Sequence, residues 1–220
     1  MQRVLTNEEP PWGSVWTPVY EMLGHDFLYP DPMNLVIMPD NHDMSRIFTQ
    51  VGEDVDLWRM AMAFYATMRG IPQIFYGTEV LMSHPGTTSH GAIREEFPGG
   101  WDDHDRNAFT GDGLKKQQRA AQDFLRRLLN WRKDAAVVHR GKTMHFVPED
   151  RTYVYFRYDD EDSVMVVLNK NAGAVELELE RFAERLKGYE AARDVVTGEA
   201  FRLDSALPMP GRSVRVLELN

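Results

Sequence analysis

A chain of 220 residues, 43% of them hydrophobic, is long enough for one large domain or two modest ones with buried cores. Its formal net charge of -9 argues against nucleic acid or an anionic membrane as partner, because such surfaces repel an acidic protein that has no segregated basic patch. The absence of cysteine excludes disulfides, thiol catalysis and zinc-thiolate sites, and no apolar run at the start is long enough for a signal core or a membrane span.

The opening residues predict no recognisable first element, since Pro10, Pro11, Gly13 and Pro18 interrupt any period, and the chain reads as beginning inside a larger protein. "NLVIMP" is a continuous apolar segment of the kind that suits a strand buried on both faces. A helix follows from Val55 to Met68, with Leu57, Ala61, Phe64, Tyr65 and Met68 on one broad face. Gly70 ends it and Pro72 forbids its return. "IPQIFYG" is a second buried strand, and it runs out at Gly77 into a loop of nearly forty residues, a length that is usually functional or disordered. The next helix starts near Leu114 and carries Ala121, Leu125, Leu128 and Leu129 on one face, while the basic residues from Arg126 to Arg140 form a solvated face. The order strand, helix, strand, helix predicts parallel strands with right-handed crossovers, whose ligands gather at the carboxyl ends of the strands.

From about Val137 the texture changes to short alternating strands. "TYVYFRY" sets Tyr153, Tyr155 and Arg157 opposite Val154, Phe156 and Tyr158, "VELELE" alternates apolar residues with glutamates, and "SVRVLEL" is a last strand. Turn signals at "EDR", "DDED", "NKNAG" and "TGE" complete an antiparallel sandwich of roughly 80 residues. The acidic "DDEDS" reads as a hairpin loop, with a bound cation as the alternative. The fold class is therefore α/β plus all-β, divided between residues 1–137 and 138–220.

At the end of the first strand stand Asp40, Asn41, His42 and Asp43. A carboxylate beside an imidazole at the carboxyl end of a parallel strand suits a charge that stabilises a cationic transition state, a metal ligand, or a general base with its orienter. The plain alternative is an Asx turn that ends the strand.

"PDNHDMSR" after an apolar strand, then a helix ending in "RGIPQIFYGTE", then "IREEFPGGW" before a helix and a small β domain, resembles the carboxyl-terminal part of an alpha-amylase family glycoside hydrolase, closest to its neopullulanase and cyclomaltodextrinase branch. The likeness runs from about Phe27 to Trp131 in motif order. It implies the last two βα units of a (β/α)8 TIM barrel followed by a β-sandwich, and an α-glucan oligosaccharide or polysaccharide as partner; no cofactor and no metal are expected. It implies that Asp43 stabilises an oxocarbenium-like transition state and that His42 donates a hydrogen bond to a hydroxyl of the same sugar ring.

The resemblance also implies substrate contacts from Arg94, Asn41 and Arg46. The alternatives are that Arg94 pairs with Glu95 or Glu96, and that Arg46 orients Asp43 or the strand end. Glu79 matches a family position that is more often a hydrogen-bonder than a catalyst. Trp101 and Phe97 flank "PGG", where a braced aromatic forms a platform for a sugar ring or else a piece of core. His84, His90 and His104 are too irregularly spaced for a metal site and read as loop or subsite residues.

The family's nucleophile and proton donor lie on strands upstream of this segment, and neither Asp26 nor Asp31 matches the nucleophile motif. The expectation is a fragment that is inactive alone and that either self-associates or binds its missing half of the barrel. Two other readings stay open: a non-catalytic carbohydrate-binding or interaction module, and a metal-dependent hydrolase using Asp40, His42 and Asp43.

Overall fold

The computed structural model describes residues 1–7 and 14–220. Two short helices, α1 (Gln2–Thr6) and α2 (Thr17–Gly24), occupy the start where the sequence predicts no element. Pro18 is the reason that reading fails there: in the first turn of α2 its missing N–H would have had no partner anyway, so it starts a helix instead of breaking one. Pro10, Pro11 and Gly13 lie outside the described residues.

β1 (Val36–Ile37) and β2 (Ile71–Pro72) form a parallel pair, with Val36 opposite Ile71 and Ile37 opposite Pro72. The N–H groups of Ile71 and Gln73 donate to the carbonyls of Leu35 and Ile37, so the side of β2 where Pro72 lacks a donor faces away from β1. The sequence predicts both strands buried on both faces, but Val36 and Ile71 are exposed. Among the described residues each strand has a single neighbour, and no strand pairs with its second edge. Gly70, with φ +107°, makes the approach possible, because a Cβ there would stand 2.6 Å from the carbonyl oxygen of Leu35.

Between the strands lie α3 (Ile47–Gln50) and α4 (Val55–Thr67). Asp54 caps α4 by accepting the N–H groups of Asp56 and Leu57. After β2 come a one-turn helix α5 (His90–Ile93), the long helix α6 (Lys116–Asp134) and α7 (Ala136–Arg140). Arg126 and Arg127 pair with Asp123 on the solvated face of α6, but Arg132 departs from that face and donates to the carbonyl of Ala66 at 2.8 Å. No helix among the described residues is long and apolar enough to cross a membrane.

The rest of the chain adds β3 (Lys142–His145), β4 (Thr152–Tyr158), β5 (Ser163–Asn169), β6 (Val175–Glu178), α8 (Ala183–Leu186), β7 (Ala191–Asp194), β8 (Ala200–Arg202), β9 (Ala206–Met209) and β10 (Ser213–Leu219). Six strands form one antiparallel sheet in the order β3-β4-β5-β10-β7-β8, and β6 pairs with β9 in a second. Alternation assigns the two faces of the large sheet. Tyr153, Tyr155, Val164, Val166 and Val216 pack with Trp58, Ala61, Phe64, Leu125 and Leu128 of the helices. Val154, Phe156, Met165, Val167 and Leu217 pack with Leu207, Met209 and Phe182 in the sandwich core. The "DDEDS" segment is the β4–β5 hairpin loop, closed by Asp159, whose carboxylate accepts the N–H groups of Glu161 and Asp162.

The junction between sheet and helices is also polar. Arg157, fully buried, donates to the carbonyls of Thr67 at 3.2 Å and Gly141 at 2.7 Å, so it satisfies the last turn of α4 from across the interface. Tyr155 and Thr67 share a hydrogen bond of 2.6 Å between their hydroxyls.

Candidate active site

The loop after β1 holds Asp40 to Arg46, and its residues divide into an inward and an outward set. Asp40 is fully buried: its carboxylate accepts the Ile47 N–H at 2.7 Å and the Thr78 hydroxyl at 3.2 Å. Burial pushes its carboxyl above the usual range, against the pull of the Ile47 hydrogen bond and the Arg46 charge. Glu79 is raised for the same first reason.

The outward set meets at Asp43. Arg94 donates from Nη2 to Asp43 Oδ1 at 2.7 Å and from Nε to the His42 carbonyl at 3.0 Å. His42 Nε2 stands 3.2 Å from Asp43 Oδ2, and the Asp43 side chain is 57% exposed. The structure thus joins three of the expected residues, and it gives Arg94 a partner other than Glu95 or Glu96. The planar fork of an arginine can hold a carboxylate and a carbonyl at once, which a lysine ammonium does not match. Such a cluster keeps an anion in place at a solvent-facing strand end, with one carboxylate oxygen and one imidazole nitrogen near an approaching hydroxyl.

Two of the expected substrate contacts have internal work instead. Asn41 Oδ1 accepts the Asp43 N–H at 2.8 Å, which makes it an Asx turn that aims Asp43 outward. Arg46 is buried; it donates to the carbonyls of Ile93 and Tyr76, with its guanidinium over the Phe75 ring at 4.1 Å. Burial removes it from reach of a ligand in this structure.

Trp101 and Phe97 belong to the later part of the long loop. Trp101 is 63% exposed and so is not core here. Phe97 packs on Val80, Met82, Ala108 and Leu114 and meets Phe109 edge-on at 5.1 Å. A cavity of about 850 Å³ opens beside Arg94 and is lined by Glu53, Glu95, Glu96, Asp103 and His104 among others.

His90 was missed as a member of the Asp43 cluster: its Nδ1 lies 3.8 Å from Asp43 Oδ1 and 3.4 Å from Arg94 Nη2. Its position four residues before Arg94, one helical turn away, is the sequence signal that could have found it. The other two histidines go to separate carboxylates, His84 to Glu95 at 3.7 Å and His104 to Glu96 at 3.2 Å. Among the described residues no group of three or more histidine, aspartate or glutamate side chains is arranged to hold a metal ion.

Comparison with known proteins adds the following. The family described as "Alpha amylase, catalytic domain" matches residues 19–170, and the "Cyclo-malto-dextrinase C-terminal domain" matches residues 143–218. A maltogenic alpha-amylase of Bacillus acidopullulyticus is 28% identical over 158 residues, 69% of this chain and 24% of that protein. Neopullulanase 2 of Thermoactinomyces vulgaris is 30% identical over 176 residues, 78% of this chain and 27% of its own length. The chain therefore spans about a quarter of the length of these curated relatives. Among solved structures, an alpha-amylase from Geobacillus thermoleovorans complexed with acarbose superposes with a TM-score of 0.74 at 19% identity, covering 93% of this chain and 43% of that one. The likeness shows the fold: part of an alpha-amylase catalytic barrel followed by a C-terminal antiparallel β-sandwich.

Proposed function

The chain belongs to the alpha-amylase family, and we propose that it is the carboxyl-terminal portion of a glycoside hydrolase that cleaves α-glucans with retention. Residues 1–137 supply the last two βα units of the barrel and residues 138–220 the sandwich. The substrate class is a maltooligosaccharide, cyclomaltodextrin, pullulan or starch. The observation that carries this reading is the exposed Asp43 carboxylate, gripped by Arg94 at 2.7 Å and flanked by His42 at the end of a parallel strand.

Cleavage of a glycosidic bond develops positive charge on the anomeric carbon and ring oxygen. A fixed anion beside that carbon stabilises the transition state more than the ground state, which is the condition for acceleration. Asp43 fills that role. Arg94 holds its carboxylate in one orientation, so little reorganisation remains to be done as charge appears. His42 donates to a sugar hydroxyl from the imidazole next to it.

The nucleophile and the proton donor come from residues outside this chain. Two findings support this. Asp26 is held by Arg69 through two hydrogen bonds of 2.6 and 2.7 Å, and Asp31 caps a short turn by accepting the Met33 N–H. Asp26 and Asp31 are thus committed to the fold. The open edges of β1 and β2 pair with further barrel strands, or with a second copy when those are absent. Light scattering of the isolated chain at micromolar concentration checks this, and a clean monomer counts against it.

The function is tested with two measurements on the purified chain and its Asp43→Asn variant. Acarbose binding is expected to weaken about tenfold on substitution, the cost of one charge-assisted hydrogen bond. Neither protein is expected to release reducing ends from cyclomaltodextrin, pullulan or starch. Equal acarbose affinity for the two proteins removes Asp43 from the site. Turnover that the substitution abolishes places a complete active site within these residues and overturns the assignment of the other two groups.

A further inference from the structure

Beneath Asp43 lie two ionisable groups that no ligand can reach in this structure. Arg46 is 1% exposed and Asp40 0%. They stand three residues on either side of Asp43, one cation and one anion, and each reaches across to the segment that follows β2. Asp40 accepts the Ile47 N–H at 2.7 Å and the Thr78 hydroxyl at 3.2 Å. Arg46 donates from Nε to the Ile93 carbonyl at 2.9 Å and from Nη1 to the carbonyl of Tyr76.

The acceptors connect this frame to the site. Ile93 is the residue before Arg94, so the Arg46 hydrogen bond fixes the end of the short helix from which Arg94 extends. Tyr76 closes the segment after β2, and its hydroxyl donates to the Glu95 carbonyl at 2.8 Å, on the other side of Arg94. The carbonyls flanking Arg94 are thus bound by Arg46 and by Tyr76, over whose ring the Arg46 guanidinium lies at 4.8 Å. Arg46 Nη2 meanwhile has no acceptor among the described residues. A buried cation bound this incompletely is a poor stabilising device and a good geometric one.

We infer that Arg46 and Asp40 are positioning residues, which set the distance between Asp43 and Arg94 by tying both ends of the Asp43 loop to the chain segment that carries Arg94. The inference rests on the reading of Asp43 and Arg94 as the substrate-facing pair. Arginine is required at position 46 because its fork donates in two directions at once, to Ile93 and to Tyr76. Lysine keeps the charge and reaches only one of the two carbonyls.

The test reads the geometry directly, by NMR of the Arg94 Nε–H in the full 220-residue chain. That N–H donates to the His42 carbonyl at 3.0 Å, and its exchange with water is expected to be slowed by the hydrogen bond; its signal is identified by its loss in Arg94→Lys. In Arg46→Lys the exchange is expected to accelerate about tenfold, the loss of a hydrogen bond's worth of protection, while acarbose binding weakens by a similar factor. Thr78→Val swaps the hydroxyl that donates to Asp40 for a methyl of the same shape, and it is expected to move the same signal in the same direction by a smaller factor. An Arg94 signal unchanged in both variants overturns the inference. Loss of the signal in Arg46→Lys, when Asp43→Asn itself leaves acarbose binding untouched, keeps the positioning role and rejects the functional reading instead.

Discussion

Val36 of β1 and Ile71 of β2 are 53% and 50% exposed, whereas Val164, Val166 and Leu168 of β5 are 2%, 0% and 0% exposed. The residue types are nearly the same, and each set lies in a run of apolar residues. What separates them is the company each strand keeps. β5 has β4 and β10 on its two edges, helices over one face and β6 with β9 over the other. β1 has β2 alone. The charged groups do not divide so simply, because Asp40 and Arg46 are buried beneath the loop after β1. In the sandwich the buried Arg157 binds backbone carbonyls, while in the sparsely paired region the Asp43 cluster itself faces solvent.

The largest expected effect comes from placing a charge in each setting. Val166→Asp buries an unpaired carboxylate and is expected to cost more than about 5 kcal/mol, enough to unfold the chain. Val36→Asp is expected to stay within about 0.5 kcal/mol and to reduce self-association. Urea melts of the two variants decide it, and similar losses would break the contrast.

Arg157→Leu comes next. It leaves the Thr67 and Gly141 carbonyls without their donor, and the expected loss is about 3 kcal/mol, or roughly 6–12 °C in Tm. Burial already pulls the Arg157 guanidinium down to about 10, so its charge is held at a cost that the carbonyls offset. A Tm unchanged by this substitution would show that the junction is held by its apolar face alone.

Asp43→Asn is smaller in stability terms and sharpens the comparison from the other side. The exposed pair with Arg94 is expected to contribute within about 0.5 kcal/mol, so the variant melts with the wild type even though it binds acarbose more weakly. A large drop in Tm would make Asp43 structural.

The smallest effect is a pH dependence at His145, whose Nδ1 is 2.8 Å from the Tyr153 hydroxyl and whose ring lies 4.5 Å from that of Tyr20. Burial lowers its pKa below 6.5, with the Asp26 charge acting weakly in the opposite direction. The folded state therefore favours the neutral ring. Its contribution is fully present above the unfolded value of 6.5 and is lost as the pH falls through the lowered one. Thermal melts at about pH 7.5 and about pH 5 are expected to differ less in His145→Gln than in the wild type. An equal difference in both would assign the acid sensitivity elsewhere.

Much of the architecture was legible. The faces of α4 and α6, the alternation of β4 and the hairpin at "DDEDS" are local patterns, and local patterns survive into the structure because the period of a helix or strand is set by its own backbone geometry. The boundaries that failed depended on context. Pro18 reads as a breaker until its position in the first turn is known. The site was legible only as far as residue types allowed. The "NHD" motif singled out Asp43 and His42, while Arg46 stayed open between a substrate contact and an orienter of Asp43 or the strand end, because a sequence shows a guanidinium and not the carbonyls of Ile93 and Tyr76 that occupy it. Arg157 looked like one alternating residue among six for the same reason: its acceptors belong to backbone far away in the chain.

The position of β10 bears on how the chain is made. It is the latest strand in the sequence, yet it sits at the centre of the large sheet, between β5 and β7. During synthesis β5 and β7 leave the ribosome earlier and wait with open edges until Ser213–Leu219 appears. Pairing across that gap is non-local, which slows folding and prolongs exposure of the edges to chaperones and proteases. A chain cut short before Ser213 would leave β5 and β7 with no strand to join them.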